Sequence, residues 1–123
     1  MKNTDLFNAT IAITQAGGNE QLARELFAML LKELPEHMTS IQVAFRACQN
    51  DLLAINDLWE PVHKLYGATA YLGVPALRDN CKTLENHINL SNHTEIENAV
   101  IQLMQNIEQL SQIGDNILNQ DWD

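Results

Sequence analysis

The stretch Val62-His63-Lys64-Leu65-Tyr66-Gly67-Ala68-Thr69-Ala70-Tyr71-Leu72-Gly73 has the periodicity of a helix carrying one chemically active side chain on its outer face. Successive residues of a helix turn by about 100°, which places Leu58, Val62, Leu65, Thr69 and Leu72 on one apolar stripe. His63 then points roughly 130° away from the centre of that stripe, toward water. Gly67, one turn on, shares its side of the helix, and Ala70 closes the patch. A glycine inside a helix costs about 0.5–1 kcal/mol relative to alanine. Clearing the surface around an exposed imidazole, so that another protein can reach it, would offset that cost. The competing reading is an inert surface histidine beside an unrelated glycine.

The flanks of this stretch set its limits. Asp57-Leu58-Trp59-Glu60 fits a capping-box-like pattern, so the helix is expected to start near Asp57, with Pro61 near the first turn, where proline is tolerated. Gly73 suits the left-handed residue after the helix end, and Pro75 suits the start of the next helix. That next helix carries Leu77, Cys81, Leu84 and Ile88 on one face. Leu90-Ser91-Asn92-His93 reads as a turn and Thr94-Glu95-Ile96-Glu97 as a capping box. The last helix buries Ile96, Val100, Leu103, Ile107, Leu110 and Ile117, and Asp121-Trp122-Asp123 reads as a frayed tail.

Toward the N-terminus, Phe7, Thr10, Ile11 and Thr14 suggest a short helix beginning after Thr4 or Asp5 and ended by Gly17-Gly18. Asn19 can cap the following helix, whose apolar positions run Leu22, Leu26, Met29 and Leu30, then Met38, Ile41, Phe45 and Cys48. Pro35 interrupts it, so Glu20 to Asn50 is either one kinked helix or two abutting ones. The expected fold is all-α: an antiparallel up-down four-helix bundle with a short additional N-terminal helix, forming a single domain over residues 1–123.

With 123 residues, 46% apolar and a formal charge of −9, the chain has an ordinary aliphatic core and a strongly acidic surface. Such a field repels phosphate backbones and anionic lipid, so neither nucleic acid nor a membrane surface is an expected partner. Nothing approaches the ~20 apolar residues that a membrane helix needs. Cys48 and Cys81 each fall on an apolar stripe and read as core cysteines in preference to a disulfide. A cytoplasmic, reduced domain is expected.

A metal centre has little support. Di-iron bundles need two Glu-x-x-His pairs facing inward, whereas Glu60-Pro61-Val62-His63 is a single pair facing out. His37, His87 and His93 have no ligand partner at helical spacing beyond a chance Glu33-His37 pair. Phosphate loops and serine elbows are absent from the sequence. What survives is a nucleophile that needs a partner. A neutral imidazole, titrating near about 6.5 when unperturbed, can accept a phosphoryl group at neutral pH. Phosphoryl transfer depends on positioning and charge neutralisation. A helix with one bare histidine supplies chiefly the first, so the partner should bring the metal and most of the cations. Lys64 is long enough to assist, or is simply a solvated lysine. Trp59, Glu60, Tyr66 and Ala70 form a mixed rim, unless the aromatics pack on a neighbouring helix.

These residues resemble the histidine phosphotransfer (HPt) domains of multistep phosphorelays. The pattern is a histidine, a leucine two on, a glycine four on and a second glycine ten on, then a helix with Cys and Leu-Glu. Here it is met by His63, Leu65, Gly67, Gly73, Leu77, Cys81, Leu84 and Glu85. Gln15-Ala16-Gly17-Gly18-Asn19 and the Phe27 to Pro35 stretch also look like the family's first helices. The His-Lys-Leu-x-Gly variant followed by Gly-Val-Pro is similar to the HPt domains that close hybrid sensor histidine kinases of the BarA/GacS type. One departure stands out: many members carry a lysine three after the histidine, where this chain has Tyr66, with Lys64 directly after the histidine.

The resemblance implies a phosphocarrier and not an enzyme in its own right. His63 would take a phosphoryl group from a receiver-domain aspartate and pass it to a response-regulator aspartate. No intrinsic cofactor is implied; the receiver would supply Mg²⁺ and a lysine. Lys64, Gly67, Ala70 and Glu60 would face the phosphoryl group and the partner. Glu85, on the facing helix, would either orient the imidazole through its second nitrogen or be a plain surface glutamate, the latter slightly favoured. A monomer excised from the cytoplasmic C-terminal end of a larger kinase is expected. The competing class is a helical adaptor that binds receivers without accepting phosphate.

Overall fold

The computed structural model describes residues 6–51, 54–70 and 72–122. They form five helices, here α1 (Ala9–Gln15), α2 (Glu20–Asn50), α3 (Ile55–Thr69), α4 (Pro75–Asn89) and α5 (His93–Asn119), and no strand among the described residues. Each long helix packs on its neighbour in sequence, and α5 closes the ring against α2. The result is the four-helix bundle that the periodicity demands, with α1 laid against α2.

The apolar stripes of α3, α4 and α5 fall where their spacing puts them. Leu58, Val62, Leu65 and Thr69 of α3, Leu77, Cys81, Leu84 and Ile88 of α4, and Ile96, Val100, Leu103, Ile107, Leu110 and Ile117 of α5 are all buried. Asn19 caps α2 by accepting from the Leu22 N–H at 3.0 Å. Gly73 has φ +68°, and its lack of a side chain serves packing too. A Cβ there would meet Asn8 O at 2.5 Å and Ala12 Cβ at 2.8 Å, while the Asn8 N–H donates to Gly73 O at 2.7 Å. The turn after α3 is thereby fastened to α1.

Several expectations are corrected. Helix α1 turns a different face to the core: Ala12 is buried, while Thr10, Ile11 and Thr14 are exposed. Its described start is Ala9, capped by Asn8, whose side chain accepts from the Ile11 N–H; Thr4 and Asp5, and likewise Asp123 of the tail, lie outside the described residues. Helix α2 is one continuous helix of 31 residues. Pro35 lies on its exposed face, where the carbonyl that loses its N–H partner is open to solvent.

Helix α3 begins at Ile55, with no side-chain cap, so Asp57 sits in the first turn and Pro61 inside the helix. The reason is burial: Ile55 is only 6% exposed and extends the stripe by one more turn. Helix α5 is capped by Asn92 rather than Thr94.

The C-terminal tail is not frayed. Trp122 is 5% exposed, its ring centroid 4.7 Å from that of Phe7, and its indole N–H donates to Ile117 O at 2.8 Å. Arg24 lies over the indole at 4.4 Å and donates to Leu118 O at 2.7 Å and Gln120 O at 2.9 Å, so α2 holds the end of α5 in place.

Candidate phosphoryl-accepting site

The α3 stripe that fills the core forces His63 onto the opposite face, and its side chain is 53% exposed. Helix α4, antiparallel beside α3, presents Glu85 to it. Glu85 is 4% exposed, which corrects the surface-glutamate reading. Its Oε1 lies 2.7 Å from His63 Nδ1. A carboxylate accepts only, so Nδ1 carries the proton and donates. The strength of a charge-assisted bond explains why a carboxylate is tolerated in so dry a place. Trp59, one turn before His63, stacks on the imidazole with centroids 4.3 Å apart and planes 12° from parallel. The ring is thus fixed in its plane by an indole face and in its rotation by a carboxylate. Nε2 is the nitrogen not committed to Glu85.

The remaining predicted residues divide between two flanks. Glu60 and Lys64 line a groove with Glu33, Glu36, His37 and Ser40 of α2, and belong to the α2 side of the helix. Ala70, just past the end of α3, is half-buried. Gly67 is open: a Cβ added there would meet no heavy atom within 4 Å. It borders a groove of about 370 Å³ walled by Leu22, Leu26, Met29, Ala68 and Leu72. Leu22 is 40% exposed and Met29 56% exposed, so these side chains, expected in the core, instead form an apolar surface beside the histidine. The core of α2 is made by Ala23, Phe27, Leu30, Leu34, His37, Ile41 and Cys48. Tyr66 is half-buried on the α4 side, its ring centroid 6.3 Å from that of His63, with Lys82 Nζ 5.5 Å from the Tyr66 centroid.

Sequence reasoning left Trp59 open between rim and packing and missed Lys82. The i,i+4 spacing of Trp59 and His63 was the available signal for the first; the second needs the register of α3 against α4. His37 is buried, and burial chiefly lowers its pKa, with Lys64 adding to the effect and Glu33 and Glu36 opposing it. Burial pushes the Cys81 thiol well above the usual thiol range, and Cys48 is raised by burial and by Asp57 and Asp51. Both are free thiols. Among the described residues no group of three or more His, Cys, Asp or Glu is arranged to hold a metal ion.

A buried carboxylate, a stacked indole and an open imidazole thus meet at one place on the α3–α4 face. Residues 25–113 match the profile of the Hpt domain family. The chain belongs to that family. It is 38% identical over 94 residues to the sensor protein GacS of Pseudomonas syringae pv. syringae, covering 72% of this chain and 10% of that protein. It is 29% identical over 118 residues to the signal transduction histidine-protein kinase BarA of Escherichia coli (strain K12), covering 90% of this chain and 12% of that protein. The chain therefore spans about a tenth of the length of the curated relatives it matches. The crystal structure of the HPT domain from the Hpt sensor hybrid histidine kinase from Shewanella superposes with a TM-score of 0.80 at 27% identity, covering 98% of this chain and 100% of that one. Membership implies a part in the phosphotransfer of two-component signalling. No helix among the described residues is long and apolar enough to cross a membrane.

Proposed function

We propose that this Hpt domain is a phosphorelay intermediate in which His63 takes a phosphoryl group from a receiver aspartate and yields it to an aspartate of a response regulator. The observation that carries this reading is the 2.7 Å bond from His63 Nδ1 to buried Glu85 on a half-exposed imidazole. It fixes the tautomer that leaves a lone pair on Nε2.

In the forward step the Nε2 lone pair attacks phosphorus, and the bond from phosphorus to the aspartyl oxygen breaks. Its electron pair leaves on the aspartate carboxylate. The ring gains positive charge as the N–P bond forms, and the Glu85 carboxylate, accepting the Nδ1 proton in a hydrogen bond, offsets it. In the return step a carboxylate oxygen of the second receiver attacks phosphorus and the N–P pair goes back to Nε2. The domain needs no cofactor of its own; Mg²⁺ and a catalytic lysine belong to the receiver.

The receiver sits on the apolar groove beside Gly67. Exposed Leu22 and Met29, with half-buried Leu26 between them, offer it a hydrophobic wall, which isolated surface residues do not. The open space at Gly67 lets the two backbones approach. The domain acts as a monomer, and the likeness to sensor kinases several times its length supports a place within a larger hybrid kinase, on the cytoplasmic side.

The test is incubation with a receiver domain, its upstream kinase, ATP and Mg²⁺. Acid-labile, alkali-stable label on this chain that disappears in His63→Gln supports the relay. Receiver binding without label on the native chain, unchanged in His63→Gln, would make it an adaptor instead.

A further inference from the structure

A phosphoryl group on His63 brings about −1.5 to −2 charges at neutral pH. It arrives next to the Glu85 carboxylate, on a chain whose formal charge is already −9. Holding that group between transfers calls for a cation on the same face, and two lysines are within a turn of the imidazole's surroundings.

Lys64 is adjacent in sequence but turned away. Helical geometry sets it about 100° from His63, toward α2, and there it shares a groove with the carboxylates of Glu33, Glu36 and Glu60. Tyr66 and Trp59 lie on the other side of His63, about 60° and 40° toward α4. Helix α4 meets that side in antiparallel register: Glu85 touches His63, and one turn earlier Lys82 lies over the ring of Tyr66, which is itself one turn past His63.

On α4, Glu85 and Lys82 leave the buried stripe of Leu77, Cys81, Leu84 and Ile88 in the same direction, by about 70° and 130°. Arg78, one further turn back, continues this edge with a second positive charge. Lys82 is exposed, with its Nζ 5.5 Å from the Tyr66 centroid, and that centroid is 6.3 Å from the imidazole's. Among the described residues no carboxylate lies within 4.0 Å of its ammonium. The aromatic face keeps a mobile stem extended along the α3 surface without consuming its charge.

We propose that Lys82 is the charge-neutralising group of this site: its ammonium swings from the Tyr66 face onto the phosphoryl oxygens once His63 is phosphorylated. The α4 edge thus supplies both halves of the setting, a carboxylate for the Nδ1 proton and an ammonium for the phosphoryl oxygens. Lys64 serves the α2 groove. The proposal rests on phosphorylation of His63 as read above.

The experiment uses the small donor phosphoramidate, which needs no partner protein, on the native chain and on Lys82→Ala, Lys82→Arg and Lys64→Ala. The rate of His63 labelling is read by mass spectrometry, and the second ionisation of the bound phosphoryl group by ³¹P NMR titration. Circular dichroism checks the fold, which an exposed lysine on α4 does not carry. Lys82→Ala should slow labelling about three- to tenfold and raise the phosphoryl pKa by about half a unit, the scale of an exposed charge pair. Lys82→Arg should restore both to within about twofold of native, and Lys64→Ala should change neither. Normal labelling and an unshifted titration in Lys82→Ala, with His63 labelled, would overturn the role of Lys82 alone. The same shift in Lys64→Ala and not in Lys82→Ala would move the role to α2. A native chain that takes no label at His63 would overturn the phosphotransfer reading itself.

Discussion

Two tryptophans of this domain each lie against a nitrogen-bearing side chain at nearly the same distance, with opposite consequences. Trp122 has Arg24 over it at 4.4 Å, and Trp59 has His63 stacked on it at 4.3 Å. At the first site the polar atoms are taken up by the domain itself: the guanidinium binds Leu118 O and Gln120 O, and the indole N–H binds Ile117 O. Phe7 and Phe27 then enclose the indole. At the second site one ring nitrogen is bound by a buried carboxylate and the side chain stays 53% exposed. The first arrangement locks the C-terminus onto α2. The second orients a ring and leaves its Nε2 uncommitted to Glu85. Packing and hydrogen bonding are used to the full where the fold must close and stop one bond short where chemistry must enter.

The comparison breaks first at the closed site. Trp122→Ala should cost about 3–5 kcal/mol of stability, the usual range for a buried aromatic, read as a lower denaturant midpoint. Labelling of the fraction that remains folded should be unchanged; a loss of labelling per folded molecule would mean that the two sites are coupled. At the open site Glu85→Gln should leave the fold intact and slow phosphotransfer roughly ten- to hundredfold, since a hydrogen bond to a charged group is worth about 1.5–3 kcal/mol. Unchanged transfer in that variant would reduce Glu85 to packing. A Cβ at Gly67 meets no heavy atom within 4 Å, so Gly67→Leu should keep native helicity while slowing transfer from a receiver roughly tenfold. Labelling by a small phosphodonor should be spared, which separates a blocked partner from a damaged site.

The smallest effect concerns His37, whose pKa is lowered first by burial. The unfolded chain takes up that proton at higher pH than the folded one, so stability from this residue is complete above about pH 6.5 and declines as pH falls below it. His37→Gln should flatten that part of the stability profile measured by urea unfolding between pH 7 and pH 5. An unchanged profile would assign the slope to other groups.

How much of this was readable in the sequence follows the same division. Helices α3, α4 and α5 bury apolar stripes at helical spacing, so most of their cores were legible, though not Ile55, Glu85 or the α5 residues Ala99, Asn106 and Gly114. Helix α2 was not: Leu22 and Met29 are as apolar as Phe27 and Leu34, and sequence carries no mark that separates an exposed apolar wall from a core. The tail was misread because the burial of Trp122 depends on Arg24 and Phe7, both near the other end of the sequence. At the site, the outward face of His63 and the open space at Gly67 followed from helical geometry. The burial of Glu85 and the position of Lys82 required the register of α4 on α3, which no single helix encodes.

The most direct test is to phosphorylate the uniformly ¹⁵N-labelled domain and record the long-range proton–nitrogen spectrum of the His63 ring. The account predicts phosphorus on Nε2, with Nδ1 protonated and bonded to Glu85. Phosphorus on Nδ1, or on another residue with His63 unmodified, would contradict it.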